Sequence, residues 1–318
     1  MHQDLGYESD LNKIDQWIED ADSKLHAAVS RNSVLWDQVE STRGIFDWSR
    51  YDHIAEALRS HKIRMLFVLV GSPAWANGAI ASPTDERFRV PVDDPSFSAW
   101  KDEFVRFATT ALHRYPDATW EVWNEPNDDA FWSPTPSPEH YAALFSEVRA
   151  AAHDLHPSVA VSTGGVDNLT VAGPNDITGS DFLRRVHESG VDFDVVALHP
   201  YPSFNGSPAQ ESEGENNFSD VTTVERMLAM LGEHPRIWIT EVGWNHALIG
   251  SERAAEYVTA ALEGVRSKDS SVDVVVVFLD RDRPQFPFGL LTADGSLTPS
   301  GSAFAAIAAQ CQHAGSGL

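Results

Sequence analysis

Two apolar runs in this sequence stop at a glutamate. Thr119-Trp120-Glu121-Val122-Trp123 leads into Asn124-Glu125-Pro126-Asn127, and Ile237-Trp238-Ile239-Thr240 leads into Glu241. Each reads as a β-strand that hands a carboxylate to the loop after it. One such glutamate means little, because 47 residues of the chain are Asp or Glu and surface loop carboxylates are common. Two at matching strand ends, one of them flanked by Trp and Asn, form a stronger pattern. A pair of carboxyls in unlike environments can run acid/base and nucleophilic chemistry together, since one stays protonated while the other stays ionised. Cleavage of a glycosidic bond needs that pair, and a separation of about 5–5.5 Å between the groups would give retention of configuration through a covalent intermediate.

The two glutamates can only meet if the fold turns both strand ends toward one point. The chain alternates strand-like and helix-like segments. Strand patterns cover 25–35, 63–70, 118–123, 159–162, 193–198, 236–240 and 272–279, each followed by a helical pattern. The near-continuous apolar runs are those of parallel strands buried on both faces. A first helical pattern, from Leu11 to Glu19, has no strand-length run before it. The spacing therefore predicts one α/β domain over residues 1–318, a (β/α)8 TIM barrel whose first strand is truncated or very short. An open doubly wound sheet is the alternative, and it often carries a Gly-rich phosphate loop after its first strand, which this sequence lacks.

In such a barrel, chemistry collects at the C-terminal ends of the strands. The polar and aromatic residues there are Arg31 in the second strand, Trp75 after the third, and Asn124 and Glu125 after the fourth. His199 and Tyr201 follow the sixth, Glu241 ends the seventh and Asp280 follows the eighth. The chain holds ten tryptophans. Trp36, Trp75, Trp123, Trp132 and Trp244 lie at or just after apolar runs, where they could form stacking platforms for sugar rings or fill the core. Arg31 could equally serve a structural ion pair, and Tyr201 could be a packed phenol.

Bulk properties exclude several partners. A net charge of −24 disfavours nucleic acid and anionic membrane, both of which call for a basic face. It is compatible with an oligosaccharide or polysaccharide. The single cysteine, Cys311, excludes an internal disulfide and a cysteine-cluster metal site. His187-Glu188 starts a zinc-protease pattern that fails at Val191, the histidines show no metal-ligand spacing, and no serine-hydrolase elbow is present. No cofactor is expected. The chain as given shows neither an apolar stretch of membrane length nor a leader.

Trp123-Asn124-Glu125-Pro126-Asn127 and Ile239-Thr240-Glu241-Val242-Gly243-Trp244 resemble, as an ordered pair, the acid/base and nucleophile motifs of the clan of retaining barrel glycosidases. The resemblance extends through Trp36-Asp37-Gln38-Val39-Glu40, Ser72-Pro73-Ala74-Trp75-Ala76, His199-Pro200-Tyr201-Pro202 and Phe288-Gly289-Leu290-Leu291. Within the clan it is most similar to the β-xylosidase and α-L-iduronidase branch. The resemblance implies Glu125 as general acid/base, Glu241 as nucleophile, and Asn124 as a ligand of the substrate 2-hydroxyl. It further implies that Arg31 and Tyr201 keep the nucleophile ionised, that His199 orients the sugar or the carboxylates, and that Trp75 lines the pocket. Trp36, Trp132 and Trp244 are expected at the substrate rim. One departure is the end of the last strand, Val277-Phe278-Leu279-Asp280, where many clan members carry a tryptophan platform. A catalytically silent carbohydrate-binding barrel and a transglycosylase remain alternatives. Sugar and linkage preference is expected to depend on loops 77–96, 128–138 and 201–220.

Overall fold

The computed structural model describes residues 1–78, 86–167, 173–202, 205–208, 220–267 and 271–313. Seven parallel strands are hydrogen-bonded in sequence order: Val29–Leu35 (β1), Arg64–Val70 (β2), Thr119–Val122 (β3), Val161–Thr163 (β4), Val195–Leu198 (β5), Arg236–Val242 (β6) and Val272–Val277 (β7). Eight longer helices accompany them among the described residues. They are Leu11–Ser23 (α1), Ser49–Ser60 (α2), Asp94–Arg114 (α3), Pro138–Leu155 (α4), Gly179–Glu188 (α5), Asp220–Met230 (α6), Ser251–Ser267 (α7) and Pro299–His313 (α8). Strict sequential order, with no reversal point, is barrel topology rather than that of a doubly wound sheet.

Residues 1–3 occupy the first-strand position. Arg31 N donates to Met1 O and Gln3 N to Arg31 O, each at 3.0 Å. On the other side His2 N donates to Val277 O and Asp280 N to His2 O, again at 3.0 Å. This three-residue stub pairs with β1 on one flank and β7 on the other, and so closes the ring. β3 is therefore the fourth strand of the barrel and β6 the seventh. Asp280, expected at the rim, is instead fully buried at this seam, where Gln3 Nε2 donates to its Oδ2 at 3.4 Å. Burial pushes its carboxyl up to about 6.

Two boundaries differ from the periodicity. α3 starts at Asp94 rather than near Phe97, because the Asp93 side chain caps Ser96 N and a proline occupies the first turn. β1 starts at Val29 rather than Leu25, because α1 runs on to Ser23 and the turn after it puts His26 at a φ of 51°. Of the loops expected to set specificity, residues 79–85, 203–204 and 209–219 lie outside the described residues. No helix among the described residues is long and apolar enough to cross a membrane.

The sheet separates two kinds of interior. Toward the helices lies a large apolar core rich in aromatics, with Trp36, Trp100, Phe104, Phe107 and Trp123 nearly or fully inaccessible. Inside the ring, Leu66, Val195, Trp238 and Val276 form a separate plug from four strands. Each such side chain contributes about 1.5–3 kcal/mol by leaving water. Elsewhere the ring interior is polar, with Arg31, Glu121, Ser162, His199 and Thr240 all buried. Burying charges costs several kcal/mol per ion, and only close pairing offsets that cost. The polar layer thus weakens the case for a purely structural barrel and marks the C-terminal mouth as the place of function.

Candidate active site

Arg31 is the hub of the polar layer. β1 carries it into the ring, where it is 1% exposed. Its Nε and Nη2 donate to the Glu121 carboxylate at 3.2 and 2.6 Å, and Nη2 also donates to Asn124 Oδ1 at 2.9 Å. Nη1 donates to Glu241 Oε1, and at 2.9 Å to His2 Nδ1. Because arginine only donates, His2 Nδ1 must accept, so its Nε2–H donates to Asp4 Oδ1 at 2.8 Å. One planar cation thus fixes four partners from two strands and the closing stub, which a lysine could not do.

Glu241 is reached by a strand irregularity. Successive strand residues ordinarily point to opposite faces. The register between β6 and β7 shifts between Ile239 and Val242, and Thr240 and Glu241 both turn into the site. The second Glu241 oxygen, Oε2, accepts from Tyr201 Oη at 2.8 Å. Burial alone would raise this carboxyl. The positive charges of His199 and Arg31 and the Tyr201 hydrogen bond outweigh it and hold Glu241 down at about 2.

Glu125 arrives by a different local device. Trp123 and Glu125 both adopt left-handed backbone, with φ of 72° and 42°, a costly conformation for residues with a Cβ and one concentrated at functional sites. Glu125 N is tied to Gly165 O at 3.0 Å. Its Oε1 lies 2.8 Å from His199 Nδ1, and His199 Nε2 lies 3.1 Å from Thr240 Oγ1. Burial would lower the His199 pKa. The nearby Glu241 and Glu125 carboxylates reverse that and raise it.

Gly165 makes room for this histidine. A Cβ at position 165 would stand 2.1 Å from His199 Nε2 and 2.7 Å from Thr240 Oγ1. Gly165→Ala is therefore expected to push His199 off Glu125 and lower kcat/KM by about 100-fold, the cost of a roughly 1 Å misplacement. Unchanged kcat/KM on a chromogenic glycoside would show that His199 does not position Glu125.

One carboxyl oxygen of Glu125 and one of Glu241 lie within 4.8 Å of each other and of a His199 nitrogen. Their surroundings are opposite. Glu241 faces cationic groups. A Glu125 oxygen lies within 4.8 Å of carboxyl oxygens from both Asp128 and Asp167. Burial and then the Glu125 charge push Asp167 up to about 8, and burial pushes Asp128 up to about 6. The Glu241 carboxyl is thus held down, while Asp128 and Asp167 beside Glu125 are pushed up.

These groups open into a cavity of about 350 Å³, whose polar lining includes His2, Asp4, Asn124, Glu125, Tyr201 and Glu241. Its aromatic walls are not the expected tryptophans. Trp36 is inaccessible, stacks on Phe107 at 5.7 Å and donates from Nε1 to Glu40 at 2.8 Å. Trp132 is 1% exposed and packs edge-on against Trp100, Trp123 and Tyr141. Trp244 is 3% exposed, with Nε1 bonded to Gly206 O at 2.9 Å. Trp75 is half-buried against Trp36, its Nε1 bonded to Glu40 O at 2.8 Å and Arg43 over its ring, and it does not line the cavity. Position just after an apolar run points a side chain outward to the helices as often as inward, and here the outward choice fills core. The cavity is walled instead by phenylalanines, among them Phe278 just past the last strand.

Glu121 and His2 escaped the sequence reading. Glu121 sits inside an apolar run between Trp120 and Val122, and a charge in the middle of a buried strand was the available signal. His2 carries no local pattern, and only the closed seam shows its place.

The barrel with a carboxyl pair at its C-terminal mouth is the architecture of the (β/α)8 glycoside hydrolases. Residues 1–291 match the family described as Glycosyl hydrolases family 39, and the chain belongs to that family. A β-xylosidase from Geobacillus stearothermophilus is 31% identical over 112 residues, which are 34% of this chain and 21% of that protein. A family 39 glycoside hydrolase from the gut symbiont Bacteroides cellulosilyticus WH2 superposes with a TM-score of 0.68 at 22% identity, over 95% of this chain and 61% of that one. A monomeric β-xylosidase from Caulobacter crescentus CB15 gives 0.68 at 19% identity, over 96% and 66%. This chain therefore spans about a fifth of the first relative and less than two thirds of each structure, and at these identities the structural likeness concerns the fold.

Proposed function

We propose that the protein hydrolyses a β-glycoside of a neutral sugar with retention of configuration, Glu241 acting as nucleophile and Glu125 as acid/base. The observation that carries this is the pair of carboxyl oxygens within 4.8 Å in opposite electrostatic settings. That spacing is compatible with the short separation of retaining enzymes.

The Glu241 carboxylate attacks the anomeric carbon while the Glu125 carboxyl gives its proton to the glycosidic oxygen. The carbon–oxygen bond breaks, the leaving group departs as an alcohol, and a glycosyl ester stands on Glu241. Water then enters on the Glu125 side. Glu125, now a carboxylate, takes a proton from it as the oxygen attacks, and Glu241 leaves with its electron pair. Arg31 and Tyr201 keep Glu241 ionised in the free state, and Asn124, held by Arg31, is placed for the 2-hydroxyl. The described cavity lining has no lysine or arginine to pair with a uronate, and its modest volume suits one sugar ring and the start of its aglycone. The names of two relatives make β-D-xylosides the first substrates to try. A 4-nitrophenyl glycoside panel, with the product anomer followed by proton NMR, tests the reading. The β anomer is expected to appear first, and initial release of the α anomer would overturn it.

A further inference from the structure

The described lining of the cavity mixes polar groups with phenylalanines. On the Glu241 side, Phe278 and Phe288 pack edge-on against Tyr201, with centroids at 6.1 and 6.5 Å, and His2, Asp4 and Asn124 supply hydrogen-bonding groups. The lining also holds Phe88 and Phe131, a tilted edge-to-face pair with centroids 5.1 Å apart, together with Tyr7 and Ser33. The leaving group must sit on the side of its proton donor, and the chain runs from Glu125 straight to Phe131. Asp128 N donates to Glu125 O at 3.0 Å, and Phe131 N donates to Asp128 O at 3.1 Å.

This wall is built in advance. Trp123 Nε1 donates to Phe131 O at 2.7 Å. The Phe88 strip is zipped to the same loop, with Ser133 N donating to Phe88 O at 3.0 Å and Val90 N to Ser133 O at 2.8 Å. The carbonyls of Phe88 and Phe131 are thus paired within the wall, and both residues line the cavity. An edge-to-face pair offers a notch rather than a flat platform, a shape that a third ring or an alkyl chain fills. A sugar there would give up hydration of its hydroxyls against rings that return no hydrogen bond.

We propose that the leaving-group side is built for an apolar aglycone, aryl or alkyl, rather than a second sugar. This rests on Glu125 being the proton donor. The natural substrate class would be small β-glycosides of hydrophobic alcohols or phenols, with the sugar-free alcohol as the released product.

The test compares 2-phenylethyl glycosides, ethyl glycosides and the β-1,4-linked disaccharide in the β-D-xylo and β-D-gluco series. Phenylethyl and ethyl alcohols have similar acidity, so their ratio reads binding of the ring rather than leaving-group chemistry. The phenylethyl glycoside is expected to exceed the ethyl in kcat/KM by at least about tenfold, and to exceed the disaccharide as well. Phe131→Ala and, separately, Phe88→Ala should each bring the phenylethyl-to-ethyl ratio down toward one. A disaccharide cleaved faster than the phenylethyl glycoside, or a ratio unmoved by both variants, would overturn the proposal while leaving the glycosidase reading intact. No turnover of any glycoside would overturn both.

Discussion

Glu241→Ala is expected to lower kcat by about 10⁴-fold or more, because it removes the group that forms the covalent intermediate. The informative result is the chemistry of rescue. With azide and an activated aryl glycoside, the anion enters from the face Glu241 vacates and yields a glycosyl azide of inverted configuration. Glu125→Ala behaves differently. A dinitrophenyl leaving group needs no proton, so the glycosyl ester still forms on Glu241. Azide then enters from the opposite face and gives an azide of retained configuration. NMR of the two products separates the roles. The two outcomes exchanged would reverse the assignment, and activity surviving Glu241→Ala would remove that residue from the mechanism.

The second large effect belongs to Arg31. Arg31→Met leaves Glu121 and Glu241 buried without their shared cation, and is expected to cost about 3–5 kcal/mol of stability, read by chemical denaturation. Arg31→Lys keeps the charge but cannot fork to Glu121, Asn124 and Glu241 together. It should fold with activity reduced by about 100-fold. The pH dependence follows from Glu241. Its folded pKa, about 2, lies below the ordinary 4.5. Its ionisation therefore stabilises the fold above about pH 4.5, by about 3 kcal/mol, and that share is lost as pH falls from 4.5 through 2. In the native protein the acid side of kcat/KM should show no loss traceable to Glu241 until pH nears 2. In Arg31→Lys that limb should move upward. Identical acid limbs in the two proteins would mean that Arg31 does not hold the carboxylate ionised.

Much of this was legible in the chain. The strand–helix alternation gave the barrel, and strand-end position gave Glu125, Glu241, Asn124, Arg31, His199 and Tyr201, which the fold brings into one network. Strand-end logic works for these because parallel strands in a ring all end at the same mouth. It fails for Trp36, Trp132 and Trp244, since a residue just past a strand has two faces to choose from and a bulky indole gains more in the core. The phenylalanine walls were illegible for a related reason. Phe88 and Phe131 lie in loops without periodicity, and only backbone pairing between those loops turns their rings toward the site. Glu121 was the missed opportunity, a charge in a buried run that made sense only opposite Arg31.

The stub at residues 1–3 has a wider consequence. The segment that completes the ring also carries His2, which receives a hydrogen bond from Arg31 and stands 3.5 Å from Glu241. Unzipping that seam would open the ring and withdraw a neighbour of the nucleophile in one event. Closure of the ring and the surroundings of Glu241 are thus joined at one seam.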